Sequence, residues 1–146
     1  MSKVYYLAGP MTGIPQFNFP AFEEATQKLR GLGLNIISPH ETDTDAVKKI
    51  AWASADGQLD EHDKIGGETW GDMLARDVKM IADEIDGLFV LARWYKSKGA
   101  RLEVFVALCA RKPVYAYKCM NHIGDMNWAS LSREGLIEEI MEEVKK

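Results

Sequence analysis

Four short apolar runs, each separated from the next by enough residues to form a helix, constrain this chain more than any other feature. Residues 3–8, 34–39, 88–92 and 113–117 are rich in aliphatic, β-branched and aromatic side chains and read as buried strands. Between the first two, Asn18 is placed to cap a helix with Pro20 in its first turn. Ala21, Phe22, Ala25 and Leu29 give that helix one apolar stripe, and Gly31 and Gly33 end it. Strand, helix and strand in succession imply a right-handed crossover and parallel pairing. Thr69 can cap a second long helix from Trp70 to about Ile85, and residues 102–110 form a third. A last helix starts at Ser130 or Ser132 and runs to about Val144, with Ile137, Ile140 and Met141 on one face. The expectation is an α/β fold. Its sheet is doubly wound, mainly parallel and four-stranded, in the order 2-1-3-4, flanked by helices in the Rossmann or flavodoxin manner. No fifth strand is expected after residue 117.

A chain of 146 residues fits one domain with a real core. The net charge of −4 comes with no basic run, which argues against a nucleic-acid polymer as partner. No apolar run approaches membrane-spanning length, and the first residues read as a strand rather than a signal peptide. Cys109 and Cys119 sit in apolar surroundings and read as core residues in a reducing cytoplasm. His40, His62 and His122 lack metal-ligand spacing and read as loop or surface residues. A soluble cytoplasmic protein is expected.

Three stretches carry the chemistry. The first strand ends in Gly9-Pro10-Met11-Thr12-Gly13, where backbone can approach a ligand closely. It has neither the dinucleotide-binding spacing nor the Gly-Lys-Ser/Thr of a P-loop. Residues 40–68 interrupt the rhythm with polar sequence and read as a lid or specificity insertion, with a short helix over 45–53 and Trp52 needing a surface to stack on. The third stretch is Ser97-Lys98-Gly99-Ala100-Arg101-Leu102-Glu103, between the third strand and its helix. It places Glu103 in a first helical turn, where free N–H groups would keep it ionised. Asp77 lies near the buried stripe of the preceding helix beside Arg76, so it is either paired there or used. The order 2-1-3-4 brings the first loop, the third stretch and Glu103 to one crevice at the carboxyl ends of the strands.

Together, residues 5–13, Asn18 to Phe22, Thr69-Trp70 with Arg76-Asp77, and residues 97–103 resemble the nucleoside 2-deoxyribosyltransferase-like superfamily. The resemblance is closer to a small, often phage-borne subgroup of unknown function related to deoxynucleoside 5′-monophosphate N-glycosidases. It runs over nearly the whole chain apart from 40–68. It implies Glu103 as a nucleophile toward C1′ and Asp77 as the acid assisting the leaving base, with Asp72 the alternative on the same helix. It implies Tyr5 as the tyrosine that orients the nucleophile. Ser97, six positions before Glu103, would bind a 5′-phosphate, with Arg101 adding a guanidinium contact. Gly9, Met11, Thr12 and Gly99 would line the sugar–phosphate site, and Asn127 would complete it from a second subunit of a homodimer or larger oligomer. The implied reaction is cleavage of the N-glycosidic bond of a (2′-deoxy)nucleoside 5′-monophosphate, without metal or cofactor, in the host cytoplasm if the chain is phage-encoded. Alternatives are deoxyribosyl transfer between bases and nucleotide binding without turnover. Base choice is expected from 40–68 and from Trp52 or Trp70.

Overall fold

The computed structural model describes residues 2–42, 45–58, 64–65, 68–118 and 128–146. Five strands form its main sheet: β1 (Val4–Ala8), β2 (Asn35–Ile37), then, after a small hairpin of β3 (Lys64–Ile65) and β4 (Glu68–Thr69), β5 (Gly87–Val90), β6 (Val114–Tyr117) and β7 (Trp128–Ser130). The sheet order is β2-β1-β5-β6-β7. The first four are parallel, with Tyr6 opposite Ile37 on one side and opposite Leu88 on the other. This is the expected doubly wound α/β arrangement. The expectation of no fifth strand is corrected, because β7 adds antiparallel to β6 at the edge, pairing Tyr115 with Ser130. Three residues of an edge strand carry too little alternation to be read from sequence.

Helices cover both faces. α1 (Phe19–Gly31) buries Phe22, Ala25 and Leu29 against Leu7, Ile36, Phe89 and Leu91. On the other face, α4 (Trp70–Asp83), α5 (Lys98–Cys109) and α6 (Arg133–Val144) enclose Tyr6, Ala8, Leu88 and Val90 with Ile81, Val104, Leu108, Leu136 and Ile140. Alternation along β1 therefore sends Tyr6 and Ala8 to one layer and Tyr5 and Leu7 to the other. Thr69 and Asp72 form a reciprocal capping box on α4, at 3.1 and 3.0 Å. Ser132 caps α6 by accepting from the Gly135 N–H.

The polar stretch after β2 folds onto the start of α1. It holds α2 (Pro39–Thr42) and α3 (Asp45–Ala53), and Ala51 of α3 packs with Phe17 and Phe19. Trp52 sets its ring edge-on to Phe19, 5.6 Å between centroids. His40 is buried rather than superficial, between Phe19 and Phe22, with Nδ1 2.6 Å from the Ser38 hydroxyl. His62 and His122 lie outside the described residues. Cys109 is exposed on the outer side of α5, not in the core, and Cys119 lies outside the described residues.

Asn18 does not cap α1 with its side chain. It adopts φ 62°, following Gln16 at 57° and Phe17 at 50°, so three successive non-glycine residues occupy the left-handed region. Each such residue costs about 1–2 kcal/mol. The turn persists because it is tied down. The Gln16 N–H donates to the Ser54 carbonyl (2.8 Å), the Gln16 amide to the Trp52 carbonyl (3.0 Å) and the Asn18 amide to the Pro10 carbonyl (2.9 Å). The Gly13 N–H donates to the Gly57 carbonyl (2.8 Å). Gly57 itself has φ 66°, and a Cβ there would run into the Ile14 carbonyl. Gly57→Ala is therefore expected to lower stability by ~2 kcal/mol or more in urea unfolding, whereas an unchanged midpoint would mean that this junction is slack.

Candidate functional site

Parallel strands β1 and β5 are neighbours, and the chain leaves their carboxyl ends into different layers. In sheets of this kind the resulting crevice is where ligands bind. Here it is a cavity of about 570 Å³. The loop after β1 lines it with Gly9, Met11, Thr12 and Ile14. Phe17, Phe19, and Val47 and Ala51 of α3 add an apolar wall, and α4 adds Trp70, Met73, Leu74 and Asp77. The turn after β5 and the start of α5 add Arg93 and residues 96–100, with Glu103 deeper along the helix.

Glu103 is only 6% exposed. It is the sixth residue of α5, not part of its first turn, because the helix begins at Lys98, where Ser97 accepts from the Ala100 N–H at 3.2 Å. The free N–H groups at the helix start are therefore out of its reach. The expectation of an ionised Glu103 is overturned. Burial raises its pKa from the ordinary 4.5 to about 8, the Asp77 carboxylate pushes in the same direction, and the Tyr6 hydroxyl opposes them weakly. Both effects favour the neutral form of Glu103.

The tyrosine beside Glu103 is Tyr6, not Tyr5. Tyr5 points into the opposite layer, against the rings of Phe89 (5.3 Å) and Tyr115 (6.2 Å). Tyr6 is wholly buried next to both carboxyl groups, and burial, then Glu103 and Asp77, raise its own pKa well above the ordinary value. Despite this proximity, neither the Tyr6 hydroxyl nor Glu103 Oε2 completes a well-formed hydrogen bond among the described residues. A buried polar atom in that condition is costly unless something enters to meet it.

Asp77 lines the cavity and is also paired with Arg76, its neighbour in the chain. Arg76 lies 3.0 Å from Glu68 and 3.9 Å from Asp77. Asp72 is engaged in the capping box and does not line the cavity, which leaves Asp77 as the acid of α4 at the site. Gly9, Met11, Thr12, Ser97 and Gly99 all line it. Arg101 does not. Its guanidinium is turned back to the Tyr95 carbonyl at 2.8 Å. The cations at the rim are Arg93, Lys96 and Lys98, which flank Ser97 in the chain and were legible there as a local cluster. Lys96 also pairs with Glu143 of α6 at 2.8 Å. Trp70 lines the cavity, whereas Trp52 packs behind the α3 wall. Asn127 lies outside the described residues.

Residues 3–116 match a family described as a domain of unknown function, DUF4406. The chain belongs to the DUF4406 family. The matched stretch contains every residue that lines the cavity. No curated protein matches the chain. No described helix of this DUF4406 protein is long and apolar enough to cross a membrane.

The position of Glu103 fixes a sign for the pH dependence of stability. A carboxyl whose folded pKa lies above its unfolded value favours the native state at low pH, and that contribution is lost as pH rises from 4.5 toward about 8. Relative to Glu103→Gln, the wild-type DUF4406 protein is expected to lose ~2 kcal/mol or more between about pH 5 and about pH 8. Denaturant melts of both proteins at the two pH values measure this, and parallel pH profiles would contradict it.

Proposed function

We propose that this protein hydrolyses the N-glycosidic bond of a (2′-deoxy)nucleoside 5′-monophosphate, releasing the free base and the sugar 5-phosphate. One observation carries the reading. A buried carboxyl, Glu103, shares a cavity with a second carboxyl, Asp77, and the buried Tyr6 hydroxyl lies behind them, while cations and a helix N-terminus occupy the rim. The likeness of the loops after β1 and β5 to nucleoside deoxyribosyltransferase-like enzymes supports the same chemistry. The cavity volume falls within the range of small-molecule sites, about 300–1,000 Å³.

The proton balance follows from the state of Glu103. In this reading the Glu103–Asp77 carboxyl pair holds one proton at neutral pH, and Tyr6 keeps its own phenolic proton. As the C1′–N bond breaks, its electron pair goes to the base nitrogen, which takes that proton through Asp77. Glu103, now anionic, faces an oxocarbenium-like C1′ and closes on it, forming the ester bond to the sugar. Water then attacks C1′. Its hydroxyl stays on the sugar, the C1′–Oε bond breaks, and the remaining proton reloads the carboxyl pair. Ser97, Lys98 and the α5 N-terminus hold the phosphate, with Arg93 beside them.

A second reading, transfer of the deoxyribosyl group to another base, is favoured by the apolar wall of Phe17, Val47, Ala51 and Trp70. Such a wall would shield the intermediate from water.

The test is chromatography of free base after incubation with each deoxynucleoside and its 5′-monophosphate, with and without a second base. Release from monophosphates only, lost in Glu103→Ala by a factor of ~10³ or more, is expected. A new nucleotide or nucleoside formed from the added base would establish transfer instead. Tight binding with no release by the wild type would reduce the site to a binding module. Because the active free enzyme carries the shared proton, kcat/KM is expected to fall as pH rises through about 8. A rise over that interval would mean that Glu103 must start ionised.

A further inference from the structure

The cavity is chemically divided. Arg93, Lys96 and Lys98 stand at the rim, Asp77 and Glu103 supply the acids, and the remaining side-chain surface is mainly hydrocarbon and aromatic. If the rim takes an anion and the acids face the sugar carbon, the base is left with the apolar part. This step rests on the N-glycosidase reading. In that part, α3 presents Val47 and Ala51, four residues apart and so on one helix face. Both are small and almost fully buried, 3% and 4% exposed.

The position of this wall is set by its ties. Ser54 and the Trp52 carbonyl at the end of α3 receive both hydrogen bonds of Gln16, and Gly57 receives that of Gly13. Ala51 packs against Phe17 and Phe19. The left-handed turn at Gln16, Phe17 and Asn18 is strained backbone that these bonds offset, so they tie the wall to the turn. With the backbone fixed, the room left for a ligand depends on the size of the side chains at 47 and 51.

We infer that Val47 and Ala51 are the specificity-determining residues of the base site. Their small side chains leave room for a two-ring base as well as a one-ring base. Recognition is by fit against Val47, Ala51, Phe17 and Trp70. Adding one or two carbons at either position fills the space that the second ring needs.

The experiment uses the full chain, Ala51→Val and Val47→Leu, with deoxyadenosine and deoxycytidine 5′-monophosphates as two-ring and one-ring probes. Binding is followed by calorimetry and base release by chromatography. The wild type is expected to bind both. Each variant is expected to lose about tenfold or more with the two-ring probe and less than about threefold with the one-ring probe, as a misfit of one methylene demands. Equal losses with both probes, or no loss in a folded variant, overturn the inference. A wild type that binds only the one-ring probe overturns it without any variant. A wild type that binds both probes and variants that lose only the two-ring probe, with no base released from any monophosphate, uphold the wall and sink the hydrolase reading. Base release from both probes, unaffected by either substitution, does the reverse. Binding of neither probe defeats both.

Discussion

The side-by-side parallel pairing of β1 with β5 governs everything at the site. Tyr6 opposite Leu88 and Ala8 opposite Val90 bring two strand ends together whose following segments diverge. One chain turns through Gly9 toward α1, and the other turns through Arg93 into α5. The gap between them is a consequence of topology, and it exists before any side chain is chosen. Side chains then decide what the gap holds. A tyrosine on β1, a glutamate one and a half turns into α5 and an aspartate on α4 all reach the same buried spot, because their three elements share the layer on one face of the sheet.

Burial is the dominant force on that spot. Withdrawing a carboxyl from water favours its neutral form, and a second carboxyl close by adds to the effect. Both act on Glu103. The stabilisation expected from a helix start is absent because the carboxyl lies beyond the first turn. The neutral acid is thus a product of position along the helix as much as of depth. An aliphatic side chain in its place would be easier to bury, so the carboxyl is retained at a cost to the fold.

The four parallel strands, their order and both helical layers were legible, because short apolar strands between amphipathic helices admit few topologies. The places of Ser97, Gly99 and Glu103 at the crevice were legible from the strand–loop–helix pattern, and that of Asp77 from the apolar stripe of its helix. Three things were not. Tyr5 and Tyr6 are both buried-strand residues, and a strand covered on both faces carries no alternation to tell which face each takes. The start of α5 was placed four residues late, at 102 rather than 98, because Lys98-Gly99 is a poor helix opening by propensity and the Ser97 cap overrides it. The left-handed turn at Gln16–Asn18 contains no glycine, so nothing local announces it. It follows from hydrogen bonds to a segment some forty residues away.

The last helix has a bearing on what counts as the unit of this fold. α6 lies wholly outside the stretch that matches the DUF4406 family, yet Leu136 and Ile140 complete the layer that holds Tyr6 and Val104. Arg133 donates to the Leu108 carbonyl near the end of α5, and Glu143 reaches Lys96 at the cavity rim. The matched segment and the folding unit are therefore different lengths of chain. A truncation drawn at residue 116 would strip the outer cover from α5 and lay its apolar flank bare to water. The crevice thus lies within the matched segment, while the cover that keeps its supporting helix out of water is supplied by chain beyond it.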